Sequence, residues 1–353
     1  MIEDQRPLEP SIPETLQTLA PTDLEVYRKE RYDGGGFSAS LAQFAPEDVS
    51  LIIRLYTVVK KIYDLWLYMR DAPNYELIKA HVISQIGTEH FLSSVQAVGA
   101  ATYALGQDTP ELRKIFHDVR GGALTVLAGY VHFLKTEPEN IVDDVQTVVL
   151  LARDHAKLMR NAIDDLDPTV RQADESIKVH LIDDFIQKWH GSVYNIAGKA
   201  VEIEVVCTFQ GSVTNRCLET SAIDRVLYNY INNAARFTDD NTVSLTIFRT
   251  GDAVVRWVVQ NVITAEQKRW LNDVTAGDLK QLFWGGLTRG GHGIGLSSCA
   301  DFVAASFGGS REVALGQGYL GAKIIEDHYY AWFHWPEYRQ GTDPNEVRCD
   351  CGH

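Results

Sequence analysis

The chain has 353 residues, more than one hydrophobic core usually fills, so two or three domains are expected. Its 45% hydrophobic and 23% charged residues are ordinary globular values and exclude a disordered or collagen-like chain. With 33 Lys and Arg against 47 Asp and Glu, the net charge of −14 argues against nucleic acid and anionic lipid as partners.

The start, MIEDQRPLEP, lacks the apolar stretch of a signal peptide, and 49–69 is interrupted by Arg54, Lys60, Lys61 and Asp64, so no membrane span is expected. Five cysteines, none in the N-terminal half, suit a reducing compartment, and the expected location is cytoplasmic. Residues 1–46 mix Pro, Glu, Thr and Gly34-Gly35-Gly36 with little periodicity and read as a flexible leader. From Pro46, apolar residues Val49, Ile52, Tyr56, Val59 and Ile62 recur at helical spacing, which resumes over about 75–105 with a break at Gly87. Residues 47–108 are thus a helical N-terminal region to which the sequence assigns no site.

Asp108-Thr109-Pro110-Glu111 marks a helix start, followed by the stripe Leu112, Ile115, Val119, Ala123, Val126, Tyr130 and Phe133. A second stripe runs Ile141, Val145, Val148, Ala152, His155, Met159, Ala162 and Leu166. Two such helices over 109–168 predict an antiparallel hairpin. A lone hairpin leaves part of both stripes in water, so a homodimer is expected to complete a four-helix bundle. Residues 175–336 change character, with strands at 201–209, 242–249 and 253–260, a helix at 221–237, a Gly-rich segment at 285–295 leading into a helix to about 307, and β-like runs at 310–314 and 322–335. The fold class is α+β: helical region, hairpin, then an α/β sandwich. Residues 337–353 read as a polar tail, in which Cys349, Cys351 and His353 belong to a frayed end rather than a metal clasp.

Three groups of residues carry chemistry. His117 falls between apolar positions 115 and 119, so its imidazole faces away from the hairpin core, and Asp118 beside it can orient the ring and accept its proton. A surface His next to an acid is also common without any role. Asn229, Asn233 and Arg236 fall at i, i+4 and i+7, so one helix face presents two amides, suited to Mg²⁺, and a cation suited to phosphate. The same pattern also suits a plain solvated face. The third group is Gly285 to Leu296 before a helix, where glycines turn backbone N–H groups toward an anion.

In this order the three groups resemble the sensor histidine kinases of two-component systems, over about 109–336. FHDVRGGALTVL looks like the family's phosphoacceptor box, NYINNAARFT like its N-box and GGHGIGLSSCADFV like its second glycine box. The resemblance implies that the hairpin dimerises and carries the phosphoryl group, and that the α/β part binds ATP as in gyrase, Hsp90 and MutL. His117 would be the phosphoacceptor and Asp118 the activating acid. Asn233 would hold Mg²⁺, and Asn229 and Arg236 would address the phosphates. Phe237 would line the nucleotide pocket, Gly291, Gly293 and Gly295 would shape the lid hinge and phosphate loop, and Thr288, Arg289 and His292 would sit on the lid. The implied partner is a response-regulator receiver domain.

Three departures stand out. The adenine-reading Asp-x-Gly-x-Gly box is absent; Asn261 stands where some branches of the family carry Asn, and would be the adenine contact. Gly121 occupies the position that often positions water for dephosphorylation, so strong phosphatase activity is not expected. Gly121-Gly122 costs roughly 1 kcal/mol per glycine in a helix, which predicts a bend just after His117. The missing box also leaves open an ATP-independent histidine phosphotransferase relay, and a non-catalytic dimeric scaffold is a third reading.

Overall fold

The computed structural model describes residues 11–26, 38–121, 123–135, 141–175, 179–196, 198–214, 222–287 and 293–339. A single turn, α1 (Glu14–Gln17), comes first. Pro46 at the first helical position, with Glu47 and Asp48 at the positive end, opens α2 (Pro46–Met69). Asn74 and Thr88 cap α3 (Tyr75–Ile86) and α4 (Glu89–Ala97) through the N–H groups of Leu77 and Phe91. The break between them falls at Gly87, as the periodicity predicts. Gly99, with φ +88°, starts α5 (Ala100–Ala104), and buried Asp48 accepts from the N–H groups of Gly99 and Thr102 to tie α5 to α2.

Thr109 caps α6 (Pro110–Arg120) through Leu112 N. Gly121 ends it at φ −112° and ψ −140°, and α7 (Ala123–Lys135) continues the leg, so the helix breaks just after His117. Helix α8 (Ile141–Ala162) packs along α7. Most of both stripes is buried within one chain: Val119, Ala123, Val145, Val148, Ala152 and Met159 are each 0% exposed. Helices α2 and α3 lie against α7 and α8 and supply the cover expected of a second copy. Burial of the hairpin therefore requires no partner chain.

The leader is not loose over its described part. Ala39 pairs with the end of α8, its N–H donating to Ala162 O and its carbonyl accepting from Asp164 N. Residues 11–26 form a strap on the far side of the molecule. What the sequence could not show was their destination, a sheet face.

That sheet begins after α9 (Pro168–Glu175), β1 (Val179–Leu181) and α10 (Ile182–Trp189). Strands β2 (Val193–Ile196), β3 (Lys199–Cys207), β5 (Thr242–Thr250), β6 (Val254–Val262), β7 (Leu320–Ile325) and β8 (His328–Pro336) form six strands ordered β2-β3-β5-β6-β8-β7. All neighbours are antiparallel except β3 with β5, the pair bridged by β4 (Ser212–Thr214) and α11 (Ala222–Phe237). Alternation along β6 sends Val255, Trp257 and Val259 to the helix-covered face and Arg256 and Val258 to the strap. Helices α11, α13 (Gly295–Phe307) and α14 (Arg311–Gln317) cover the first face; Leu16 and Leu19 cover Phe248, Val258, Tyr330 and Trp332 on the second.

Three readings change. The run at 310–314 is helical, because Ser310 Oγ accepts from Val313 N as an N-cap and Gly318 ends the helix at φ +79°. The run at 322–335 is a hairpin of β7 and β8, turned at Glu326 with φ 56°. The segment between the predicted hairpin and the first predicted strand at 201 is not featureless: it holds α9, β1, α10 and β2, and buried Lys188 interrupts the apolar pattern of α10. Cys349, Cys351 and His353 lie outside the described residues, and none of the described helices is long and apolar enough to cross a membrane.

Two buried histidines make stability acid-sensitive. Burial pushes the imidazole of His155 on α8 down to about 4. His334 on β8 goes down to about 3, where Arg256 adds to burial. The unfolded chain takes up protons near pH ~6.5 that the folded chain refuses. Stability is therefore full above pH ~6.5 and falls on acidification by up to about 1.4 kcal/mol per pH unit for each histidine. Urea midpoints at pH 7 and pH 5 should differ, and His155→Leu should flatten the dependence; an unchanged slope contradicts the assignment.

Candidate functional site

Helix α11 buries Val226, Leu227, Tyr230, Ile231 and Ala234 against the sheet, which turns Asn229, Asn233 and Arg236 to the opposite rim. These three residues, Phe237, Asn261, Gly293, Gly295 and His117 line one cavity. Its apolar floor comes from Val259, Ile263, Leu282, Leu296 and Ala331. The candidate nucleophile and the candidate nucleotide-binding residues, separated by more than a hundred positions, thus share a single pocket.

Close approach requires the glycine at 295. A Cβ there would fall 2.4 Å from Asn229 Oδ1 and 3.4 Å from His117 Cε1. Asn229 donates its Nδ2 to Arg225 O at 2.8 Å, which fixes the amide and directs its oxygen at the glycine turn. Gly293 has φ +67° and would bring a Cβ within 3.1 Å of the Gly286 backbone. If the pocket takes the Mg–ATP that the sequence resemblance implies, Gly295→Ala should weaken that binding at least about tenfold, because Asn229 must rotate away. Calorimetry checks this, and wild-type affinity in the variant would contradict the fit.

Asn261, at the end of β6, is 3% exposed and donates Nδ2 to Val262 O at 3.2 Å. Phe237 carries the Arg236 guanidinium 5.4 Å over its ring. Thr288, Arg289, Gly291 and His292 lie outside the described residues.

His117 is 24% exposed at its side chain, with Nδ1 3.1 Å from Asp118 Oδ1. Asp118 is 3% exposed, and its other oxygen accepts from Arg225. Burial alone would raise its pKa, yet the guanidinium and the His117 ring hold the carboxyl below the ordinary carboxylate range. Lys114 of α6 pairs with Asp301 of α13 at 2.9 Å, and Arg311 pairs with the same carboxylate. The hairpin is therefore fastened to the α/β part on both sides of His117.

Sequence reasoning missed α12 (Ala265–Thr275), whose Gln267, Trp270 and Leu271 line the same cavity. Thr264 and Gln267 form a capping box, a signal readable in the sequence. It also missed Arg225 and Lys188, which look like surface cations and are 3% exposed.

No protein-family profile and no curated protein matches this chain. Solved structures similar to it include the mycobacterial sensor histidine kinase MprB, at 16% identity and TM-score 0.27 over 39% of this chain and 82% of that one. The catalytic domain of the histidine kinase ThkA follows at 22% and 0.26, over 38% and 78%. ShkA, solved in complex with AMPPNP, matches at 14% and 0.30, over 61% of this chain and 43% of its own.

Proposed function

We propose that this chain is a protein histidine kinase that phosphorylates its own His117 from ATP and passes the phosphoryl group to an aspartate of a response-regulator receiver domain. The observation that carries this reading is the shared cavity of His117, Asn229, Asn233, Asn261 and Gly295. Asn261 would contact adenine at the apolar end, and Asn229 and Arg236 the phosphates. Asn233 would hold Mg²⁺: it lines the cavity beside Asn229 and His117, and an amide oxygen is a hard ligand. The ion would supply charge neutralisation on the phosphates.

With Nδ1 against Asp118, Nε2 is the attacking nitrogen. A bond forms from Nε2 to the γ-phosphorus, the bond to the bridging oxygen breaks, and ADP leaves with its electron pair. Asp118 accepts the Nδ1 proton as positive charge develops on the ring. Incubation with γ-labelled ATP should give an acid-labile, base-stable phosphoprotein. A His117→Gln variant is expected to lose at least 99% of the label, on the order of a 10²-fold effect or more; equal labelling sinks the proposal.

The absent Asp-x-Gly-x-Gly box favours one second reading, a phosphotransferase relay without ATP. Calorimetry with Mg–ATP separates the two, since the relay predicts no binding. The expected homodimer would add a second hairpin to one that α2 and α3 already cover, and the mass from light scattering decides it.

A further inference from the structure

A carboxylate removed from water must be paired, and its partner decides what it can do. Asp118 gives one oxygen to Nδ1 of His117 and the other to the Arg225 guanidinium. Arg225 stands on α11, in the α/β part, whereas Asp118 stands on α6 of the hairpin. It is 3% exposed, with its guanidinium 4.4 Å from the ring centroid of Phe302 on α13. Its backbone carbonyl accepts the Nδ2 hydrogen of Asn229, the amide whose oxygen faces Gly295. One residue therefore touches the acid beside the phosphoacceptor with its side chain and an amide of the nucleotide pocket with its backbone.

The consequence concerns the tautomer. A neutral imidazole presents one N–H and one lone pair, and only a fixed acceptor keeps the hydrogen on Nδ1 and the lone pair on Nε2. A carboxylate held at one oxygen by a guanidinium keeps the other oxygen in place. Without that partner, Asp118 would turn or take a proton, and both ring tautomers would populate.

We infer that Arg225 is a positioning residue: it orients Asp118 so that His117 is held as the Nδ1–H tautomer with Nε2 free to attack, and it does so only while the α/β part is docked on the hairpin. This rests on the kinase reading for its catalytic consequence and not for the tautomer itself.

The test is nitrogen NMR on full-length protein labelled at histidine, with the His117 signals assigned by their absence in His117→Gln. Wild type is expected to show Nδ1 protonated and Nε2 unprotonated. Arg225→Met should show averaged ring nitrogens, and kcat for self-labelling should fall on the order of 10²-fold while KM for ATP stays within about threefold. Arg225→Lys should restore the single tautomer and most of kcat. A wild-type spectrum with Nε2 protonated or with mixed tautomers overturns the inference, and needs no variant to fold. So does Arg225→Met with wild-type ring shifts, or a loss carried by KM alone. If wild type takes no label while Arg225→Met still releases the tautomer, the kinase reading fails and the positioning role stands.

Discussion

Replacing Lys188 by alanine is expected to destabilise the protein by about 3–5 kcal/mol, since it leaves buried carboxylates without their shared cation. Lys188 is 3% exposed, and its Nζ lies 2.6 Å from Asp154 Oδ2 and also donates to Asp224. Burial alone would lower its pKa, but the two aspartates raise it above the ordinary value, so it stays charged. The ammonium also lies 5.2 Å from the Phe185 ring centroid and 5.4 Å from that of Tyr228, whose hydroxyl donates to Asp154. The three charges come from α10, α8 and α11, so the cation joins the hairpin to the helix that carries Asn229 and Asn233. Arg153 still pairs with Asp154 at 2.9 Å, which leaves Asp224 the less compensated acid. Adding Asp224→Asn to Lys188→Ala should therefore recover about 1–2 kcal/mol. Urea unfolding measures both, and a single variant costing under ~1 kcal/mol, the range of an exposed ion pair, would remove Lys188 from this role.

Much of this architecture was legible in the pattern of residues, for reasons that particular elements show. The capped start at Thr109-Pro110, the paired stripes of α7 and α8, and the break at Gly121 depend on local rules of helix geometry, and the structure follows them. The polar face of α11 was also legible, since apolar residues at helical spacing leave Asn229, Asn233 and Arg236 no other side. What escaped were long-range choices. Nothing near Val126 or Val148 says whether the cover of α7 and α8 comes from a second chain or from this one, and here α2 and α3 provide it. Nothing near Arg225 or Lys188 says that an acid waits across an interface more than thirty residues away in the chain, because a charged side chain on a helix reads as solvated until its partner is known. The Ser310 N-cap shows the opposite case: the local signal for a helix is present at the start of the β-like run expected over 310–314.

Arg256 has the second large effect, on the opposite face of the sheet. It is 0% exposed in the middle of β6, where the flanking VVRWVV run is apolar on both faces but gives no sign of a partner for the cation. Its Nη1 donates to Leu16 O at 3.0 Å and Gln17 O at 2.7 Å, and its Nη2 to Ala20 O at 2.8 Å and Pro21 O at 2.7 Å. These carbonyls lie in and just after α1, where backbone oxygens lack helical partners and a cation is favoured. Its Nε donates to His334 Nε2 at 2.9 Å, so His334 must be neutral with its hydrogen on Nδ1, facing Tyr319 O. Burial lowers the guanidinium to about 10, which leaves it charged at neutral pH. Arg256→Met keeps the apolar stem and removes every donor, leaving four carbonyl oxygens facing an apolar chain. The expected cost is about 2–4 kcal/mol, smaller than the sum of four losses because the strap can lift into water. Lifting exposes Leu16, Leu19, Phe248, Val258, Tyr330 and Trp332, so hydrogen exchange over 11–26 should accelerate before the sheet itself opens. The cavity holding Asn261 and His117 lies across the sheet, so under the kinase proposal ATP labelling of His117 should change less than about threefold under conditions where the variant is folded. If Arg256→Met unfolds with the wild-type midpoint and 11–26 stays protected, the guanidinium is not what holds the strap.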